Sequence, residues 1–273
     1  MRGASKIASF ALVWIAACGG EKEKPPVPLP HHFDEQPLRR LGPQQQVIDA
    51  KSQYEIAKAE ADKAEADYED TGTQLQVARN DLKQTQIAID TAITQKQAAQ
   101  KTGDMNAVNQ AQIQERTAEK LKEAAAARVR FLDVYRSYTR RFWWYAQENM
   151  YWREAQLEQV KANVAKERGI QPAKTEFGWF PSQVDERGKR TAHARDKVAK
   201  DKEAAAAAHA TWRKLQDQAD KDNGRATTAW DPMAPQAQPP MPSPQVETKT
   251  MSNAQTPPPN GEQPPPAPPQ QQQ

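Results

Sequence analysis

The chain has 273 residues, 27% of them charged and 37% apolar, with 22 prolines, 11 glycines and a single cysteine. One cysteine excludes an internal disulfide, and so few glycines argue against a glycine-rich nucleotide fold or a many-stranded β protein. Lys and Arg number 38 against 35 Asp and Glu, an excess too small to point to a nucleic-acid partner.

Proline breaks helices because it lacks a backbone N–H and its ring clashes with the preceding turn. Six prolines lie at or before Pro43, two in residues 172–181 and fourteen at or after Pro232. The chain is thereby divided into two helix-permitting blocks bounded by helix-breaking tracts. Residues 1–17 combine a basic start (Arg2, Lys6) with an apolar run over 7–17, the layout of a signal peptide. The run is too short for a bilayer, which needs about twenty residues.

The run ends in Ile15-Ala16-Ala17-Cys18, which resembles the lipobox of bacterial lipoproteins. The resemblance implies cleavage before Cys18, a diacylglyceryl thioether on its sulfur, and acylation of its new amine with a fatty acid such as palmitate. Several acyl chains make a firm anchor, since each buried methylene contributes about 0.8 kcal/mol. Gly19, in place of the aspartate common in members kept at the inner membrane, implies an outer-membrane address facing the periplasm. Loss of Arg2 and Lys6 would leave 36 basic against 35 acidic residues.

Residues 18–43 read as a proline-rich tether, partly extended and without apolar periodicity. His31 and His32 do not suggest a metal site, because the other two histidines, His193 and His209, are remote in sequence. No cofactor is expected.

Residues 44–222 read as an elongated all-α bundle with helices over 44–101, 104–168 and 182–222. The first carries a heptad series Val47, Tyr54, Ala61, Tyr68, Leu75, Leu82 and Ile89. Its companion series is Ala50, Ala57, Ala64, Thr71, Ala78, Thr85 and Ala92. Gly103 ends this helix and Asp104 caps the next. The turn is short, so the two form an antiparallel coiled-coil hairpin in which residue i faces roughly residue 205 − i. Gly169 and Pro172 close the second helix. Ser182 and Asp185 suggest a capping box opening the third. This third helix folds back so that Val198 meets Trp152 and Trp212 meets Tyr138, at the base of the hairpin. The stripe Phe131, Tyr135, Tyr138, Phe142, Tyr145 and Trp152 then lies between two alanine-rich helices as core. Residues 223–273, with thirteen of their fourteen prolines beyond Pro232, read as a disordered Pro/Gln-rich tail.

No Ser/His/Asp grouping, phosphate-cradling loop or metal-ligand spacing is present, so no enzyme is expected. The candidate interaction residues are Trp143, Trp144, Arg140 and Arg141, where arginines interleave with aromatics, and Gln97 on the polar hairpin tip. The whole reads as a lipid-anchored envelope protein acting as a structural spacer, scaffold or interaction module. Its contacts would be the membrane through acylated Cys18 and an envelope protein, with peptidoglycan as a further candidate and oligomerisation open. The alternatives are a holdase-like periplasmic chaperone or an accessory subunit of a secretion, motility or efflux assembly.

Overall fold

The structure is a computed structural model that describes residues 25–172, 176–224, 226 and 229–234. Cys18, the signal sequence and nearly all of the proline-rich tail lie outside the described residues. The elements below belong to the unit that ends at Met233. Among the described residues there are four helices and no strand: α1 (Gln36–Arg39), α2 (Gln45–Thr102), α3 (Met105–Glu167) and α4 (Trp179–Asn223).

The heptad expected of α2 is its buried face. Ala57, Ala61, Ala64, Thr71, Leu75, Ala78, Ile89 and Ala92 all belong to the two series, and Ala99 extends the second by one heptad. Small residues dominate, so the α3 backbone can approach closely. The turn is fixed by capping. Gly103 takes a left-handed φ of 72° and the Asp104 side chain accepts hydrogen bonds from the amides of Asn106 and Ala107, each 3.0 Å long. Asp104 N–H donates to Ala99 O, and at the far end of α3 Ile170 N–H donates to Ala165 O beyond a left-handed Gly169. Both are Schellman closures, in which the chain satisfies the carbonyls a helix end leaves free.

The hairpin register is displaced from the expected one. Lys96 pairs with Glu115 and Asp81 with Arg128, each at 2.8 Å, whereas the expected partners are Asn109 and Ala124. Two effects add. The turn is centred between Gly103 and Asp104, and helical side chains lean toward their own N-terminus. In an antiparallel pair that lean matches each α2 side chain with one further along α3.

α3 is the central helix. It packs against both α2 and α4, yet among the described residues no Cα of α2 lies within 8 Å of one in α4. α4 carries its own heptad, with Thr191, Val198, Ala205, Trp212 and Ala219 buried at seven-residue spacing. Its register also departs from the expected one: Trp152 lies against Gly188, not Val198, and Trp212 stacks on Phe131, not Tyr138. Ile170 and Phe177, on either side of the connection, pack near Ala162 and Ala165 at the end of α3. A Cβ on Gly188 would stand 3.3 Å from the Trp152 indole nitrogen, which explains a glycine inside a helix. The capping box does not form: α4 starts at Trp179, and the Ser182 hydroxyl donates back to Gly178 O and Trp179 O. Pro181 is tolerated in this first turn because its amide would have no helical acceptor.

The aromatic stripe is a ladder of neighbouring rings, with Phe131–Tyr135 and Tyr135–Tyr138 centroids both 5.6 Å apart and Tyr138–Phe142 6.2 Å apart. Only Phe131 is fully buried; Tyr135, Tyr138, Phe142 and Tyr145 are half-buried. The separation of α2 from α4 accounts for this, because neither outer helix closes over the ladder.

Two segments expected to be free of the body pack onto it. Residues 25–43, expected as a tether, bury Leu29 and Phe33 at 5% and 4% exposure. Past α4, Ala229 and Met233 pack on the Phe131–Trp212 core, and His209 Nε2 lies 2.9 Å from the Asp231 carboxylate. The tail expected from residue 223 therefore begins with a docked segment.

Candidate functional site

The candidate interaction residues divide among four places. Trp143 belongs to the α2–α3 interface, stacked on Tyr68 at 5.7 Å with its indole N–H buried and unpaired. Arg141 turns to α4 and pairs with Asp201. Arg140 is exposed, with its guanidinium 5.4 Å from the ring of half-buried Trp144. The outward-facing pair is thus Arg140–Trp144, while Trp143 and Arg141 serve internal contacts. Gln97 is exposed on the two-helix tip, beyond the reach of α4, whose last turn pairs Asp222 with Lys120.

A second site was not legible in the sequence. At the base, residues 28–41 cross the ends of α2 and α3 as a strap, with α1 as its single turn. Arg187, 4% exposed, donates to the Pro28 carbonyl at 3.2 Å and pairs with Glu148 at 3.3 Å. Phe33 N–H donates to the buried Glu158 carboxylate. Lys161 joins Glu158 at 2.8 Å and also reaches Glu35 on the strap. Hydrogen bonding to Lys161, with its charge, holds the Glu35 carboxyl below its ordinary value. Burial works against the Lys161 ammonium, but its hydrogen bonds to Glu158 and Glu35 prevail and lift it above the ordinary lysine value. The strap is clamped by charges and backbone hydrogen bonds as well as by Leu29 and Phe33.

Beneath it lies a cavity of about 610 Å³ between the strap, the start of α2 and the end of α3. Phe33, Leu38, Val47, Ile48 and Leu157 give it apolar walls, and Tyr54, Glu55 and Glu154 bring polar groups to it. Burial raises the Glu154 carboxyl above its ordinary value; its nearest ion-pair partner is His32, at 3.8 Å. Burial likewise raises the Tyr54 hydroxyl, with Glu154 adding to the effect. The size and mixed lining are those of small-molecule sites.

Further along α3, burial pushes the Tyr135 hydroxyl up to about 12, with Tyr138, Asp67 and Asp231 contributing. Tyr135 therefore stays a neutral donor at any physiological pH. Among the described residues, no group of three or more His, Cys, Asp or Glu could hold a metal ion, and no helix is long and apolar enough to cross a membrane. No family model, curated protein or solved structure matches the chain.

Proposed function

We propose that this chain is a lipid-anchored cell-envelope protein whose helical body serves as a spacer and protein-interaction module. The observation that carries the reading is Ile15-Ala16-Ala17-Cys18, with the sole cysteine at the end of a short apolar run. An outer-membrane address facing the periplasm follows from Gly19 by the same resemblance.

The folded strap changes what such an anchor would do. Only residues 19–24 separate Cys18 from the described body at Pro25. A fully extended chain of that length spans no more than about 25 Å. The base of the bundle would sit close to the bilayer, and the hairpin tip with Gln97 would be the part held away from it. Exposed Arg140 with half-buried Trp144 lies between these levels as a patch for an envelope partner.

The test is metabolic labelling with radioactive palmitate followed by fractionation. The natural chain should carry label and sediment with membranes, and Cys18→Ala should lose the label and appear in the soluble fraction. A Cys18→Ala chain that remains labelled and wholly membrane-bound would refute the reading.

A further inference from the structure

We propose that the strap-covered cavity at the base is a binding site for a small amphiphilic amine, with Glu154 receiving the ammonium group and the apolar walls receiving the hydrocarbon body.

The charges around the cavity decide the sign of the ligand. Lys161, the deepest cation, is already held by Glu158 and Glu35, so its charge is answered. Arg39 and Lys51 line the cavity but are exposed, where water screens them. Glu158 has both oxygens engaged, one by Lys161 and one by the Phe33 amide. Two lining carboxylates remain: Glu55 is exposed, where water screens it, and Glu154 is half-buried. Its side chain is only 17% exposed, and no hydrogen bond reaches it from the described residues, with His32 standing off at 3.8 Å. A carboxylate removed from water without a hydrogen-bonding partner carries a desolvation penalty that a bound cation would relieve. Tyr54, beside it, offers a hydroxyl that likewise has no partner among the described residues. An anion would find no unanswered buried cation.

The walls decide the rest of the ligand. Leu38, Val47, Ile48 and Leu157 present branched aliphatic surface and Phe33 a ring edge. A bare polyamine would leave that surface wet, whereas a chain of several methylenes covers it. Ile48, 48% exposed, marks the mouth.

The probe is n-octylammonium, titrated calorimetrically into the full chain carrying Cys18→Ala, so that no acyl group of the protein itself competes. One equivalent should bind. Octanoate, with the same chain and the opposite charge, should not, and propylammonium should bind at least tenfold more weakly. Glu154→Gln should weaken octylammonium binding tenfold or more, about 1.4 kcal/mol, as expected on losing a charge-assisted contact. Its helical circular dichroism should match the parent's. Ile48→Trp, which fills the mouth from an exposed position, should weaken binding by at least as much. It carries the same test should Glu154→Gln lose helicity. The proposal is overturned if octylammonium does not bind, if octanoate binds equally well, or if either folded variant binds within threefold of the parent.

Discussion

Replacing Trp212 by alanine is expected to destabilise the bundle by about 3–5 kcal/mol, the range for a large aromatic removed from a packed core. Trp212 and Phe131 are both 0% exposed, with rings 5.2 Å apart and nearly parallel at 7°. The pair joins α4 to α3 and reaches Leu75 and Ala78 of α2. Side chains of all three long helices therefore meet at this pair of rings. Trp212→Phe should cost much less, about 1–2 kcal/mol. It keeps a ring over Phe131 and removes an indole N–H that is buried without an acceptor. Phe142→Ala, at a half-buried position, should cost roughly 1–3 kcal/mol, below the full-core range. Thermal and urea unfolding of the three variants would check the order. A Trp212→Ala loss below that of Phe142→Ala would mean that α4 docks elsewhere.

Lys161→Met is the second substitution with a large expected effect. It removes the cation from Glu158, whose side chain is only 4% exposed, and an uncompensated buried charge costs about 3–5 kcal/mol. The damage should be local first, with the strap released and residues 25–43 cleaved by a protease that leaves the hairpin intact. In the natural protein the clamp has a defined window. The Glu35 carboxyl is lowered, so its contribution is present above the ordinary 4.5 and fades as pH falls through the lowered value. Lys161 is raised, so its contribution is present below the ordinary 10.5 and is lost as pH rises through the raised value. The clamp should accordingly be complete throughout the neutral range.

The hairpin was legible because its information is local. A seven-residue period, a glycine able to adopt positive φ and a capping aspartate all lie within a few turns of what they specify. The sequence pattern of α4 was less visible, since Thr191, Val198, Ala205, Trp212 and Ala219 mix sizes and a hydroxyl at the buried heptad positions. The register of α4 depended on the packing of Ile170 and Phe177 against the end of α3, which no periodicity encodes. The strap was illegible for a different reason. Leu29 and Phe33 are spaced four apart amid prolines, and their anchors are Arg187 and Glu158, 159 and 125 residues away from the strap groups they bind. Proline content argued for an extended chain, and residues 25–35 are indeed without helix. Composition alone could not say that an extended chain would have a surface to lie on. The separation of Trp143 from Trp144 could be foreseen in outline, because adjacent helical residues point about 100° apart. Which of them would face α2 depended on the register.

Both the proposed closeness of the body to the membrane and the existence of the basal cavity rest on the strap being part of the fold. Hydrogen exchange at the Phe33 amide reads this directly, because that N–H is bonded to a carboxylate buried within α3. The clamped strap predicts exchange at least about a hundredfold slower than in an unstructured peptide at neutral pH, with the protection lost in Lys161→Met. Exchange of Phe33 at the free-peptide rate in the natural chain would contradict it.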